Sequence, residues 1–238
     1  MLSPRPWKPE AVLRYLLGLF ASMAIGMGIA GLLQPNPTPE APRLTLATFI
    51  IGTLSFHIMG LALLNPFLRE HGVTWAEAFG FNAPGLKRSL TLAVILWIVV
   101  VPVAWSLSRL SGEIMTYFQM PVEKQVAVQT LETSTSILEM VLIGIAAIII
   151  APVTEEMIFR GVLYPVIKQH GFPRIALWGT SLLFAAIHAN MMTFVSLMLL
   201  AIFLTLLYET TDNLLAPMVT HSLFNATNYF ILISLPAT

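Results

Sequence analysis

The chain has 238 residues, 57% of them hydrophobic and only 10% charged, against about a quarter charged in an ordinary soluble domain. Lysine plus arginine number 12, as do aspartate plus glutamate, so the formal charge is zero; with no basic block either, the sequence argues against a nucleic-acid partner. Cysteine is absent, which removes disulfides, thiolate metal sites and cysteine nucleophiles.

This composition fits an all-α, polytopic transmembrane helix bundle. Runs of about 20 apolar residues mark membrane spans, and seven are predicted, at residues 11–33, 44–64, 89–107, 137–164, 174–189, 193–208 and 214–235. The first is too long for a secretory signal and lacks its small-residue cleavage pattern, so it is expected to be retained. No lipidation signal marks either end. Within this first run Gly18, Ser22, Gly26 and Ala30 recur every four residues, a small-residue face suited to close helix contact within the chain. Gln34-Pro35-Asn36-Pro37-Thr38-Pro39, Asn65-Pro66, Ala83-Pro84-Gly85 and Gly171-Phe172-Pro173 read as helix stops. His57 stands alone in the second run and reads as a packing or cavity residue, whereas His71 and His170 fall in loops. Residues 109–136 form a polar, partly amphipathic connection suited to the membrane surface. The twelve methionines read as gap-filling residues.

Lysine and arginine set the expected orientation. With the N-terminus in the cytoplasm, inside segments hold Arg5, Lys8, Arg14, Arg69, Lys87, Arg88, Lys168 and Arg174, against Arg43, Arg109 and Lys124 outside. The expected location is therefore a bacterial inner membrane, N-terminus inside and C-terminus outside.

The fourth run carries the anomaly. Ile148-Ile149-Ile150-Ala151-Pro152-Val153-Thr154 leads into Glu155, Glu156 and Arg160. Ionised groups near a bilayer centre cost roughly 2.5–3.5 kcal/mol each, so they pair, face water or carry function. Counted from the inside ends, Glu155 is 13 positions from Lys168, His188 is 14 from Arg174 and Asn225 is 13 from Asp212. Each is then about 20 Å into a core of ~30 Å. His221 lies one helical turn from Asn225 on the same face, so a carboxylate, two imidazoles and an amide are expected to line one cavity. Glu156 and Arg160 are spaced for an i,i+4 ion pair, with Glu155 rotated about 100° away. Arg160 is read as neutralising Glu156, leaving Glu155 free. An apolar cavity with a second carboxylate makes such a group a better general base. His188 is placed to share its water, and His221 and Asn225 to hydrogen-bond the oxyanion formed when water attacks a peptide carbonyl.

Glu155-Glu156-x-x-x-Arg160, Phe184-x-x-x-His188 and His221-x-x-x-Asn225 preceded by Ala216-Pro217 together resemble the motif set of the CPBP family, the Abi-like CAAX prenyl proteases and bacteriocin-processing enzymes. The resemblance covers about residues 137–229. It implies a helical intramembrane endopeptidase related to the Ras-converting CAAX protease, with the first glutamate and His188 activating water and His221 and Asn225 stabilising the oxyanion. It also implies a division into N-terminal helices with the amphipathic connection, residues 1–136, and a protease core in the last four spans, residues 137–238. A peptide or lipid-modified protein would be the substrate, in contact with membrane lipid.

Other intramembrane chemistries fit less well. No histidine pair has His-Glu-x-x-His spacing, Asp212 is the sole aspartate, and neither Ser181 nor Ser222 has the setting of a nucleophile elbow. The cofactor is open: Glu155, His188 and His221 form a potential two-histidine, one-carboxylate zinc set, but a metal-free, glutamate-activated water is preferred because His221 cannot be both ligand and oxyanion donor. The alternative function is a non-catalytic membrane binding or regulatory protein that uses the same polar cavity.

Overall fold

A computed structural model of the chain describes residues 2–33, 46–134 and 136–234. The proline-rich linker at 34–39, Arg43 and the start of the second predicted run lie outside the described residues. Among the described residues every regular element is a helix: α1 (Pro9–Leu33), α2 (Leu46–Glu70), α3 (Trp75–Phe79), α4 (Leu86–Tyr117), α5 (Val126–Thr133), α6 (Ile137–Gln169), α7 (Pro173–Ile187), α8 (Met191–Thr211) and α9 (Leu215–Ser234). Five of these, α1, α2, α4, α6 and α8, are long and apolar enough to cross a membrane. Large apolar side chains such as Leu17, Phe20, Ile95, Ile98 and Ile149 lie exposed on their outer faces, the surface expected to meet lipid. The chain is a multi-pass membrane protein.

The helices α7 and α9 occupy the fifth and seventh predicted runs but fall short of the other five. With 15 residues, α7 extends only about 22 Å at 1.5 Å per residue, less than the hydrocarbon thickness. The 20 residues of α9 include Thr220, His221, Asn225, Thr227 and Asn228, each of whose side chains has a hydrogen-bond partner inside the bundle.

Two boundaries depart from the sequence expectation. Pro66 does not end the second span, because α2 continues through it to Glu70. A proline deletes one helix hydrogen bond, and here Leu64, Phe67 and Leu68 on either side of it are buried in the core, which offsets the loss. The third span runs ten residues beyond the expected 107, to Tyr117. On its polar extension Arg109 pairs with Glu113 one turn on, at 3.0 Å on the exposed face.

Packing follows from small residues and inward polar groups. The small-residue face of α1 lies against α2: the Ser22 hydroxyl donates to the Ser55 carbonyl at 2.6 Å, and a β-carbon on Gly26 would collide with the Ser55 hydroxyl. On the other side of the bundle α4 lies along both α8 and α9, with the Trp97 indole donating to Thr227 and the Trp105 indole to Asn228.

One end of the bundle gathers the N-terminal segment, the α2–α4 connection, the α6–α7 turn and the α8–α9 turn. Arg5, almost fully buried, donates to Asp212 at 2.7 Å and to the Tyr208 hydroxyl at 3.0 Å. Lys168 and Tyr164 of α6 both donate to Glu209 of α8, and the Leu214 N–H donates to the Phe79 carbonyl. At the opposite end the connection after α4 covers the α7–α8 turn, where the Asn190 amide donates to the Glu123 carbonyl at 2.8 Å and Gln125 donates to Thr193 at 2.9 Å.

Candidate active site

The site is built on α6 where its hydrogen-bond ladder changes pitch. Residues Met157–Leu163 form a π-helical stretch, and so do Ala146–Ile150 just before the glutamates. Such wide turns rotate the side chains that follow and recur at functional sites. Gly161 sits in the second one with its backbone against Phe79, where an added β-carbon would lie 2.6 Å from the ring. The Trp7 indole N–H donates to the Gly161 carbonyl at 2.7 Å. The N-terminal segment thereby anchors the helix just below the charged cluster.

Glu156 is fully buried between two donors. Arg160 Nη1 donates to its Oε1 at 3.0 Å and His221 Nδ1 donates to the same oxygen at 2.9 Å. The other oxygen, Oε2, has no partner among the described residues. The second arm of Arg160 donates to the Ala201 carbonyl of α8 at 3.0 Å, and the guanidinium stacks over the Phe184 ring, 4.7 Å from its centroid. One buried ion pair therefore ties α6, α8 and α9 together.

Glu155, 7% exposed, stands apart from that pair. Its Oε2 lies 3.9 Å from His221 Nε2, too far for a direct hydrogen bond. His188, at the C-terminal end of α7, has its Nδ1 at 2.7 Å from the Phe184 carbonyl. A carbonyl only accepts, so Nδ1 carries the proton and Nε2 presents a lone pair. His221 Nδ1 faces a carboxylate oxygen, which only accepts, so this nitrogen too carries a proton.

Phe184 is the hub of the arrangement. Completely buried, it meets His188 at a ring separation of 4.9 Å, His221 at 5.7 Å and Phe159 at 5.3 Å. Asn225 lies one turn beyond His221 on α9, and its amide donates to the Ala147 carbonyl at 2.8 Å. That carbonyl belongs to the first π-helical stretch of α6. The structure thus brings Glu155, Glu156, Arg160 and His221 into direct contact range and joins His188 to them through Phe184. Asn225 bridges α9 to α6.

A further histidine belongs to this neighbourhood. His57 lies in a π-helical stretch of α2, Leu54–Ile58, that packs against α6, where the Thr154 hydroxyl reaches the His57 carbonyl at 3.5 Å. In the sequence it stands alone in a largely apolar span and reads as a packing or cavity residue; the fold is what brings it to Thr154, the residue before Glu155.

The zinc alternative requires Glu155, His188 and His221 to converge. Among the described residues no three His, Asp or Glu side chains gather closely enough to hold a metal ion. As placed, the three side chains do not make a metal centre.

Residues 137–227 match the family described as Rce1-like, type II CAAX prenyl endopeptidase. The C-terminal region of this chain is similar to that family. The Rce1-like region covers α6, α7, α8 and most of α9, and so includes every charged and imidazole side chain of the cluster except His57. The chain is also similar to the uncharacterized protein YpbD of Bacillus subtilis (strain 168), 40% identical over 76 residues. That match covers 30% of this chain and 36% of YpbD, so it spans little more than a third of the relative's length. No solved structure gives a significant match.

Proposed function

We propose that this protein is an intramembrane endopeptidase of the CAAX type, hydrolysing a peptide bond in a membrane-associated peptide or lipid-modified protein. The observation that carries the reading is the unequal treatment of the two glutamates. Glu156 is held by Arg160 and His221, whereas Glu155 has no partner at hydrogen-bond distance among the described residues and faces an imidazole nitrogen across 3.9 Å. A water molecule held by Glu155, with His188 as second acceptor, is a nucleophile in the making.

The chemistry then runs without a covalent intermediate. Glu155 takes a proton from water as its oxygen attacks the scissile carbonyl carbon, and the carbonyl electron pair moves onto oxygen. The second N–H of Asn225 faces the oxyanion, beside His221 held in position by Glu156. On collapse the carbon–nitrogen bond breaks and the proton on Glu155 passes to the departing amine. Arg160 and Phe184 touch none of the reacting atoms in this scheme; they position Glu156, His188 and His221.

Full-length protein purified in detergent and offered a panel of farnesylated and unmodified C-terminal peptides tests the reading. Release of a defined fragment from at least one peptide is expected. Binding of peptides without cleavage of any would favour the alternative, a binding or regulatory protein built on the same cavity.

A further inference from the structure

The polar groups of the cluster have an imbalance: they are rich in acceptors and short of donors. Glu155 accepts, and His188 and His221 each commit the Nδ1–H of the ring, to the Phe184 carbonyl and to Glu156. Two arms of Arg160 are committed, to Glu156 and to the Ala201 carbonyl, and the Asn225 amide already gives one N–H to Ala147. A tetrahedral oxyanion needs donors aimed at it before it forms.

His57 is the group without such a commitment. Its Nδ1 is buried and has no hydrogen-bond partner among the described residues, in a half-buried side chain on a largely apolar span. An unpaired ring nitrogen inside a protein carries the full desolvation cost of a polar group, which structures tolerate mainly where a ligand or function supplies the partner. Its location is fixed from two sides. The His57 carbonyl is reached by Thr154, adjacent to Glu155, and one turn on, Gly60 packs so tightly on α6 that a β-carbon there would sit 3.2 Å from Thr154 and 3.4 Å from Ile158. His57 is also within electrostatic reach of both His188 and His221.

Resting on the endopeptidase reading, we propose that the His57 imidazole is a further catalytic residue, its ring N–H donating to the carbonyl oxygen of the scissile peptide and stabilising the oxyanion as water adds. Atoms balance as in the reaction above. His57 gives no proton away; its N–H bond persists while the hydrogen bond shortens onto the negative oxygen. A neutral imidazole can serve as such an electrophile. The site would then draw on α2, outside the Rce1-like region.

The test compares full-length wild type with His57→Phe, which keeps an aromatic volume without a donor, and His57→Gln, which restores an N–H donor, on whichever farnesylated or unmodified peptide the wild type cleaves. His57→Phe is expected to lower kcat by about 10²–10³ with little change in KM, the range for loss of one oxyanion donor, and His57→Gln to recover at least tenfold of it. Thermal unfolding in detergent accompanies each variant. Unchanged kcat in a folded His57→Phe protein, a loss confined to KM, or equal losses in Phe and Gln would overturn the role. A wild type that cleaves no peptide of the panel overturns the endopeptidase reading and the role of His57 with it, whereas an active wild type beside an equally active His57→Phe overturns the latter alone.

Discussion

At the residue scale, two adjacent glutamates are given opposite tasks by helix geometry. Rotation of about 100° between neighbours turns Glu156 toward Arg160 and His221 and leaves Glu155 unpaired. Glu155→Gln is expected to abolish peptide cleavage while the protein unfolds at close to the wild-type temperature, since volume is kept and no partner is lost. Glu156→Gln leaves Arg160 buried without its counter-charge, and breaking such a pair typically costs about 3–5 kcal/mol. Thermal unfolding of the two variants side by side checks this; equal stability would dissolve the division of labour. The i,i+4 spacing of Glu156 and Arg160 was legible in the sequence because it is local. The contact of His221 with Glu156 was not, since sequence depth placed His221 near the acids without saying which of them it would meet. His57 was illegible for the same reason in stronger form: no other titratable group lies near it in the chain, and its relevance comes from a packing contact between α2 and α6.

At the scale of elements, the position of the glutamates depends on two wide turns in α6 and on what fits against them. Gly161 is held between Phe79 and Leu214, with room for no side chain. Gly161→Val should therefore overpack the junction and destabilise the protein by about 1–3 kcal/mol, lowering cleavage by displacing the charged cluster that begins one position away. A Gly161→Val protein with wild-type unfolding temperature and wild-type cleavage would show that this close approach does not matter. Hydrophobic runs located every one of the long helices, because about 20 consecutive apolar residues in so uncharged a chain match the thickness of a bilayer. Their ends were harder to read. Pro66 reads as a stop, but buried apolar residues on both sides carry α2 through it. The polar stretch after 109 reads as a partly amphipathic surface connection, but the third span continues through its first part as helix to Tyr117.

At the scale of the whole molecule, the loops sort into two ends: the N-terminal segment, 71–74, 170–172 and 212–214 at one, and the connection after α4 with the α7–α8 turn at the other. The basic residues favour the first end as cytoplasmic. Because the chain has no cysteine, single cysteines replacing His71, His170 and Gln119 can be probed with an impermeant thiol reagent applied outside intact cells. Labelling at 119 with protection at 71 and 170 is expected; the reverse pattern would invert the protein in the membrane. The central claim, however, is that a water molecule activated by Glu155 cuts a peptide bond within the bundle. The most direct measurement is cleavage of a peptide by wild type and Glu155→Gln in oxygen-18 water, after exhaustive chelation, with mass analysis of the fragments. The wild type should place one heavy oxygen in the new carboxylate and Glu155→Gln should give no product. Cleavage by Glu155→Gln at the wild-type rate, or wild-type activity lost on chelation and restored only by zinc, would contradict the account.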